Sequence, residues 1–564
     1  MKLERMNLLW PYRNAIAALL VFGFVSNILM LIPTVYMLQV FDRVMVSRSE
    51  LTLIVVSLIA LYLFGVLALT EWSRSRLLVR LGTQIDSDLS SQTFHAVYAS
   101  NLKAHLSNSP MLESKRGFTD LGEIRQFISG AGMATLLDLP WTFIYVFVLF
   151  LMHPLLGQMA LVFAVVQVVF ALFGHLRLRR PTYQSSLVAA QGTQLLQSSL
   201  KGVEAITAMG MTARLKNAWL TKNSHAQTAQ FKSQQIQHSV ASASKFIRYM
   251  QQSLTLAAGA ILVIRGELNP GAMIAANILC SRALAPIEGV AGSWRSLLSA
   301  RQAYARLKAL HLSAFASESA KVETQKVVGD LRCQNVSLLF PSRTQAALRN
   351  IDFHSPAGSF TLILGPSGSG KSCLARLLLG IWQPTSGTVS LDNAPMADWQ
   401  RAQLGSQMGY LPQSIDLFDD SIAANIARLG PIDPQAVVAA AKTTGLHELI
   451  LRLPKGYETR LGEASYQLSG GVRQRIGLAR AVYGDPKVIV LDEPNANLDE
   501  VGEKALLQTL KNLKSQGTTL FVISHRSHLI DLSDRLLIME DGMVQANGPK
   551  DDLMATIPLK ENAR

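Results

Sequence analysis

Charge is scarce in this chain. Asp, Glu, Lys and Arg together make up 16% of its 564 residues, where a soluble domain carries about 25%. Apolar residues reach 49% and mean hydropathy is +0.23. That balance excludes a disordered chain and argues against an ordinary soluble enzyme. Cysteine is scarcer still. Cys280, Cys333 and Cys373 lie far apart and none belongs to a CxxC pair. They exclude a disulfide framework and a zinc motif, and read as small buried hydrophobes. No small-residue cleavage site follows MKLERMNLLWPYRN, so the first apolar run reads as an uncleaved span rather than a signal peptide.

What is present is unevenly spread. Residues 1–321 hold 29 Lys and Arg against 14 Asp and Glu, and the remainder hold 24 against 25. The basic excess lies between hydrophobic runs, which fits the positive-inside signal of a membrane protein and not nucleic-acid binding. A chain this long exceeds one core of roughly 150 residues, so a membrane part joined to a soluble part is expected.

A hydrocarbon core about 30 Å thick takes roughly 20 apolar residues per helix. Ala15–Val40, with Pro33 as the point of a kink, and Leu51–Thr70 meet that requirement. Leu139–Met152 and Leu155–Gly174 are parted only by His153-Pro154, as in a tight helical hairpin. Leu254–Ile264 and Gly271–Pro286 are weaker, and complete six spans. The long connections after spans two and four are basic (Arg74, Arg76 and Arg80; Arg177, Arg179 and Arg180). They and both termini are therefore expected in the cytoplasm, with helices running far out of the membrane. Asn27, Gln39 and Gln167 are polar within the spans, and read either as pathway residues or as packing hydrogen bonds. Asp138 and Asp42-Arg43 sit near membrane boundaries and read as a local ion pair or a cap. The polar stretch 312–328 reads as a linker, dividing the chain into 1–315, a linker 316–329, and 330–564. Beyond it, short apolar runs alternate with helical stretches, the texture of a soluble α/β domain.

Gly365-Pro-Ser-Gly-Ser-Gly370-Lys371-Ser372 fits GxxxxGK[ST] between the apolar run Phe360–Leu364 and the helical CLARLLLG. That is the setting a P-loop requires. Glycines let backbone N–H groups and a helix N-terminus face phosphate. Lys371 then reaches the β- and γ-phosphates and Ser372 ligates Mg²⁺. Val488–Leu491 reads as a buried parallel strand ending in Asp492-Glu493. Asp492 suits the Mg²⁺ shell as a hard oxygen ligand, and Glu493 suits the base for the attacking water. Leu468-Ser469-Gly470-Gly471 would be a weak turn motif alone.

Set between the P-loop and the Asp-Glu strand, that third motif is the mark of ATP-binding-cassette proteins, and residues 330–550 resemble an ABC nucleotide-binding domain throughout. The resemblance implies binding of ATP with Mg²⁺. The nucleotide-contacting run is then Gly365, Pro366, Ser367, Gly368, Ser369, Gly370, Lys371, Ser372 and Cys373. Gln413 matches the Q-loop, which joins Ser372 and Asp492 around the metal. His525 matches the switch histidine, and Asp499 closes the D-loop. Phe340, 31 residues before Lys371, matches the aromatic that stacks on adenine, or serves simply as core. Ser469, Gly470 and Gly471 would close over ATP held by the other domain's P-loop, implying a homodimer or a paired half. Three positions depart from the family pattern: Phe340 for Tyr, Val472 for Gln, and Asn-Ala-Asn-Leu-Asp for the usual D-loop. Lys371 and Glu493 are intact, so ATP hydrolysis is expected, with altered tuning at Val472.

Six spans before one such domain resemble an ABC exporter half-transporter. The expected fold is a membrane all-α six-helix transmembrane domain fused to an α/β P-loop ABC nucleotide-binding domain. Arg116–Ile128 and Gly202–Trp219 are candidate coupling helices, or else solvated helix faces. Gly462-Glu463 resembles the X-loop. Tyr36–Arg43, Asp138-Leu-Pro-Trp141 with His153–Gly157, Tyr410–Asp419 and Asp492–Asp499 are similar to the permease/ATPase of bacterial type I protein secretion, in the group exporting metalloproteases, lipases and haem-binding proteins. That likeness implies a multi-pass protein of the bacterial inner membrane, among membrane lipid. Its partners would be a periplasmic membrane-fusion adaptor and an outer-membrane channel. Its cargo would be an unfolded secreted protein with a C-terminal signal. Residues 1–14 carry no Cys or His, against a leader-cleaving peptidase. An exporter of lipid or small molecules is the alternative.

Overall fold

The computed structural model describes residues 10–107, 116–200, 202–315, 327–341, 344–461 and 468–556. The chain forms two compact units that meet in sequence near residue 316.

The first unit is all helix. In chain order it holds α1 (Arg13–Leu29), α2 (Ile32–Gln39), a π-helical turn Val40–Val44, α3 (Met45–Ser47), α4 (Glu50–Ser107), α5 (Gly117–Ser129) and α6 (Ala131–Asp138). Then come α7 (Trp141–Met152), α8 (Pro154–Leu200), α9 (Val203–Ala208), α10 (Thr212–Ile264) and α11 (Pro270–Phe315). Among the described residues five stretches are long and apolar enough to cross a membrane, and the pair α6–α7, bent by 42° at Leu139-Pro140, makes a sixth if it is one span. The third span therefore starts earlier than Leu139, because Pro140 lacks the N–H that would carry the helix straight through. The first span is interrupted at Met30-Leu31, in the turn before Pro33, which has no N–H to carry the ladder back to Leu29 and sits in the first turn of α2. His153 ends α7 and Pro154 starts α8, as the hairpin reading expects. Gly157 fits there because a Cβ would run into the Phe150 ring.

α4 has 58 residues, roughly 87 Å at 1.5 Å per residue, nearly three times the hydrocarbon thickness. The long helical extensions are thus present. The candidate Arg116–Ile128 needs correction as a coupling helix. It is α5, packed against α11, with Leu121, Ile124 and Ile128 buried and Asp120 held by Arg306 at 2.6 and 3.0 Å. Within Gly202–Trp219 lies a separate short helix, α9, exposed except for the half-buried Ile206.

Several polar residues of the spans find partners. The Arg74 guanidinium, 5% exposed, sits 2.8 Å from Asp138 Oδ1 and donates to Ala134 O at 2.8 Å. Asn27 Nδ2 donates to Asp138 Oδ1 at 2.9 Å, and the Tyr145 hydroxyl donates to Asn27 O and Oδ1 at 3.0 Å each. One buried network thus ties α1, α4, α6 and α7. Asp42 caps α11, accepting from Gly271 N at 3.0 Å. Gln167 donates to Ser244.

The second unit contains two sheets. Its strands are β1 (Leu331–Leu338), β2 (Leu348–Ser355), β3 (Phe360–Leu364), β4 (Ser386–Leu391) and β5 (Ala394–Pro395). They continue with β6 (Met408–Leu411), β7 (Val488–Asp492), β8 (Thr519–Ile523), β9 (Arg535–Glu540) and β10 (Met543–Pro549). The smaller sheet runs β2-β1-β4-β5 and is antiparallel. The larger runs β10-β9-β3-β8-β7-β6, parallel from β9 to β6. β7 and β8 are buried at every residue, as continuous aliphatic strands of a doubly covered sheet should be. One apolar core lies on the side of the smaller sheet and a second on the side of the helices. Consequently the C-terminal ends of β3, β8, β7 and β6 lie side by side. In open α/β sheets that edge is where ligands bind.

Candidate nucleotide site

The phosphate loop and the two acids leave the larger sheet at that edge. β3 runs into the loop Gly365–Gly370 and then into the helix Lys371–Leu378 (α12). Gly365, Gly368 and Gly370 have φ of +150°, +84° and +95°. These values need glycine, and a Cβ on Gly370 would also lie 2.7 Å from Leu348 Cδ2. Gly370 leaves the first N–H groups of α12 without a side-chain cap, so the helix start presents free donors and positive dipole toward the loop. Pro366, Ser367 and Gly368 are exposed, while Ser369 is buried with its hydroxyl unpartnered among the described residues. A cradle of donors with an orphaned hydroxyl fits a polyphosphate.

Lys371 is 6% exposed, and its Nζ donates to Gly365 O and Pro366 O at 2.7 Å each. Burial lowers its pKa, while the carboxylates of Glu493 and Asp492 act to raise it. Asp492, 2% exposed at the end of β7, has its pKa raised by burial and opposed by a hydrogen bond from Ser372. Ser372 and Asp492 thus bring two hard oxygen donors together, as a Mg²⁺ site needs. Gln413, the third expected ligand, donates from Nε2 to Oε2 of Glu493, the neighbour of Asp492, at 3.1 Å. Among the described residues no group of three His, Cys, Asp or Glu could hold a metal.

Glu493 takes a left-handed backbone, φ +52°, and its N–H donates to Ile523 O at 2.9 Å. Non-glycine residues in that region carry strain of about 1–3 kcal/mol and gather at functional sites. His525, just beyond β8, places Nε2 3.8 Å from Glu493 Oε1. Phe340 is half-buried and meets Trp382 edge to face at 5.6 Å, with the Arg376 guanidinium 4.7 Å over the Trp382 ring. Cys373 is half-buried on α12. Ser469 caps the helix Gly470–Val482, accepting from Val472 N at 3.3 Å. Gly470 and Gly471 pack against Asn497, where a Cβ on Gly471 would lie 2.9 Å from Asn497 O. Asp499 caps the next helix through Gly502 N at 2.9 Å, which holds its pKa below the usual carboxylate range. Gly462-Glu463 and the linker residues 316–326 lie outside the described residues.

Two residues escaped the sequence reading. Gln474, 2% exposed, donates to Glu493 O at 3.3 Å and Pro494 O at 3.2 Å. Arg475 Nη2 lies 2.7 Å from Asp499 Oδ1. Their partners are carbonyls or a D-loop acid some 20 residues on, so no local spacing marks them. Gln474→Ala should leave Glu493 less firmly held: we expect kcat for ATP to fall about ten-fold with nucleotide affinity within two-fold, as one buried bonding group of about 1–3 kcal/mol is lost. Equal loss of affinity would show a general packing defect instead.

Phosphate loop, adjacent acids and a capped Ser-Gly-Gly helix on one sheet edge define an ABC ATPase. Residues 348–496 match the ABC transporter family and residues 16–284 match the ABC transporter transmembrane region. Type I secretion system ATP-binding protein PrsD of Rhizobium meliloti (strain 1021) is 38% identical, over 94% of this chain and 90% of that protein. Toxin RTX-I translocation ATP-binding protein of Actinobacillus pleuropneumoniae is 28% identical over 98% of this chain and 79% of its own length. Leukotoxin translocation ATP-binding protein LktB of Mannheimia haemolytica is 28% identical, over 96% and 77%. The structure of a bacterial Atm1-family ABC exporter superposes with TM-score 0.84 at 22% identity, covering 97% of both chains, which gives the exporter fold. The chain belongs to the ABC transporters of type I secretion systems. It is an ATP-binding ATPase and a multi-pass protein of the bacterial inner membrane.

Proposed function

We propose that this chain is the energising subunit of type I secretion, driving unfolded polypeptides with a C-terminal signal across the inner membrane. The observation that carries it is likeness at 38% identity over nearly the whole chain to a type I secretion protein, with Lys371, Asp492 and Glu493 intact. The names of the relatives concern protein translocation, which favours protein cargo over lipid or small molecules. The domains are proposed as 1–315 and 330–564 about a linker 316–329, with both termini cytoplasmic.

In this reading the Gly365–Gly370 backbone, Ser372 and Cys373 receive the phosphates of ATP and Lys371 bonds the β- and γ-groups. Ser372 and Asp492, with Gln413, would hold Mg²⁺, which supplies positive charge against the phosphates when bound. Glu493 takes the proton of the attacking water, and His525 contacts the γ-phosphate. Phe340 stacks on adenine. Ser469, Gly470 and Gly471 of one copy cover ATP on the other, with Asp499 holding the D-loop in place. ATP therefore favours a closed homodimer and hydrolysis releases it, shifting the membrane helices between two populations.

Capture from membranes tests the proposal. The tagged Glu493→Gln protein, extracted with ATP, should bring a periplasmic adaptor, an outer-membrane channel and a secreted protein, identified by mass spectrometry. Recovery of lipid or a small molecule with no adaptor would overturn protein export.

A further inference from the structure

The spans hold a cavity of about 210 Å³ between α8, α10 and α11 that export of a polypeptide does not account for. Its wall is apolar and close-packed, formed by Gly174 of α8, Val240 and Ala241 of α10 and Ala291 of α11. A Cβ on Gly174 would lie 3.0 Å from Val240 Cγ1. Its polar side is Lys245, Arg248 and Glu288, with Trp294 beside them. Arg248 Nη1 donates to Glu288 Oε2 at 3.3 Å. The other carboxylate oxygen, Oε1, is buried without a hydrogen-bond partner among the described residues. Lys245 is exposed. Two cations against one acid leave the lining net positive.

The depth of this cavity follows from the helices. Arg248 and Lys245 precede the turn at Arg265 by 17 and 20 residues, and Glu288 follows Pro270 by 18. At about 1.5 Å per residue these are roughly 25–30 Å, one hydrocarbon thickness. Gly174 follows the start of α8 at Pro154 by 20 residues. Two helices, α10 and α11, therefore put their polar groups at the headgroup level, on the side where α8, α10 and α11 run out of the membrane. Trp favours that level, and basic pockets there receive anionic headgroups. The cavity has room for a headgroup.

We propose that this cavity binds the phosphodiester headgroup of an anionic phospholipid. Lys245 and Arg248 hold the phosphate, and Glu288 holds the Arg248 guanidinium in place. That the leaflet is the cytoplasmic one rests on the orientation proposed above.

The test uses the full chain in nanodiscs of phosphatidylcholine doped with phosphatidylglycerol, and native mass spectrometry of the lipid retained. The wild type should keep phosphatidylglycerol over phosphatidylcholine. Lys245→Ala should lower that preference roughly five-fold and Lys245→Glu further, near the effect of one basic residue at a charged surface, while Lys245→Arg keeps it. Lys245 is exposed, so these variants should fold, and unchanged ATPase in pure phosphatidylcholine checks that they do. Retention unchanged in Lys245→Glu, or equal for both lipids, overturns the proposal. Displacement by millimolar inorganic phosphate would make it a site for the free ion and overturn the lipid. Nanodiscs present both leaflets and no cargo, so the outcome stands apart from orientation and from failure of the secretion reading.

Discussion

In Glu493→Gln, ATP hydrolysis should fall by about 10²–10⁴, the usual worth of a positioned general base, while ATP still binds. The geometry makes this a clean substitution. The Glu493 backbone is held on both sides, through its N–H to Ile523 O and its carbonyl to Gln474. Its Oε2 accepts from Gln413 at 3.1 Å, and an amide oxygen in the same place keeps that bond. Shape and neighbours persist, and the ability to take a proton is lost together with one negative charge near Lys371. Lys371→Ala gives the contrast. It removes an ammonium pinned over the loop by two carbonyls at 2.7 Å, so nucleotide binding itself should fail. Phosphate release, nucleotide retained on the protein and its size in ATP separate the two. Glu493→Gln should hold ATP and run as a closed dimer, and Lys371→Ala should do neither. Turnover of Glu493→Gln near the wild-type rate would remove Glu493 from the role of base.

How much of this could be read from sequence depended on the length scale of each signal. The P-loop and the Asp492-Glu493 strand are contiguous, so the residues that form the turn also name the chemistry. The topology then sets their strand ends on one edge with β8 between them, through a parallel sheet whose order 3-8-7-6 no local pattern discloses. The spans were legible by apolar length. Their limits were not, because α4 and α10 continue as polar helices without any break. Arg116–Ile128 looked like a coupling element since its spacing is helical, yet its apolar stripe faces α11 in the same unit. Gln474, Arg475 and Trp382 carry no sequence signal, since each is explained by a neighbour brought there by the fold. Gln413 reaches Glu493 because the Q-loop leaves β6, the strand beside β7.

The second large effect concerns the membrane unit. Asp138→Ala should destabilise it by about 3–5 kcal/mol, the penalty for leaving one member of a buried ion pair alone. Arg74 is 5% exposed and would keep its charge with only Ala134 O and no counter-ion, while Asn27 Nδ2 would lose one of its two acceptors. Asp138→Asn keeps an oxygen for Asn27 and loses the charge, so it should fall between wild type and Ala. Replacing both Arg74 and Asp138 by apolar residues of similar volume should recover much of the loss, because the pair itself is nearly balanced against its desolvation. Thermal unfolding of the purified full chain reads this series. The same variants decide between the two meanings of polar residues in spans. If the network is packing, ATPase and export should decline together with stability, and the apolar double variant should restore all of them. If instead that double variant is stable and hydrolyses ATP but no longer exports, then Asn27 and Asp138 face the cargo, and the ion pair serves to hold a pathway residue charged inside the membrane.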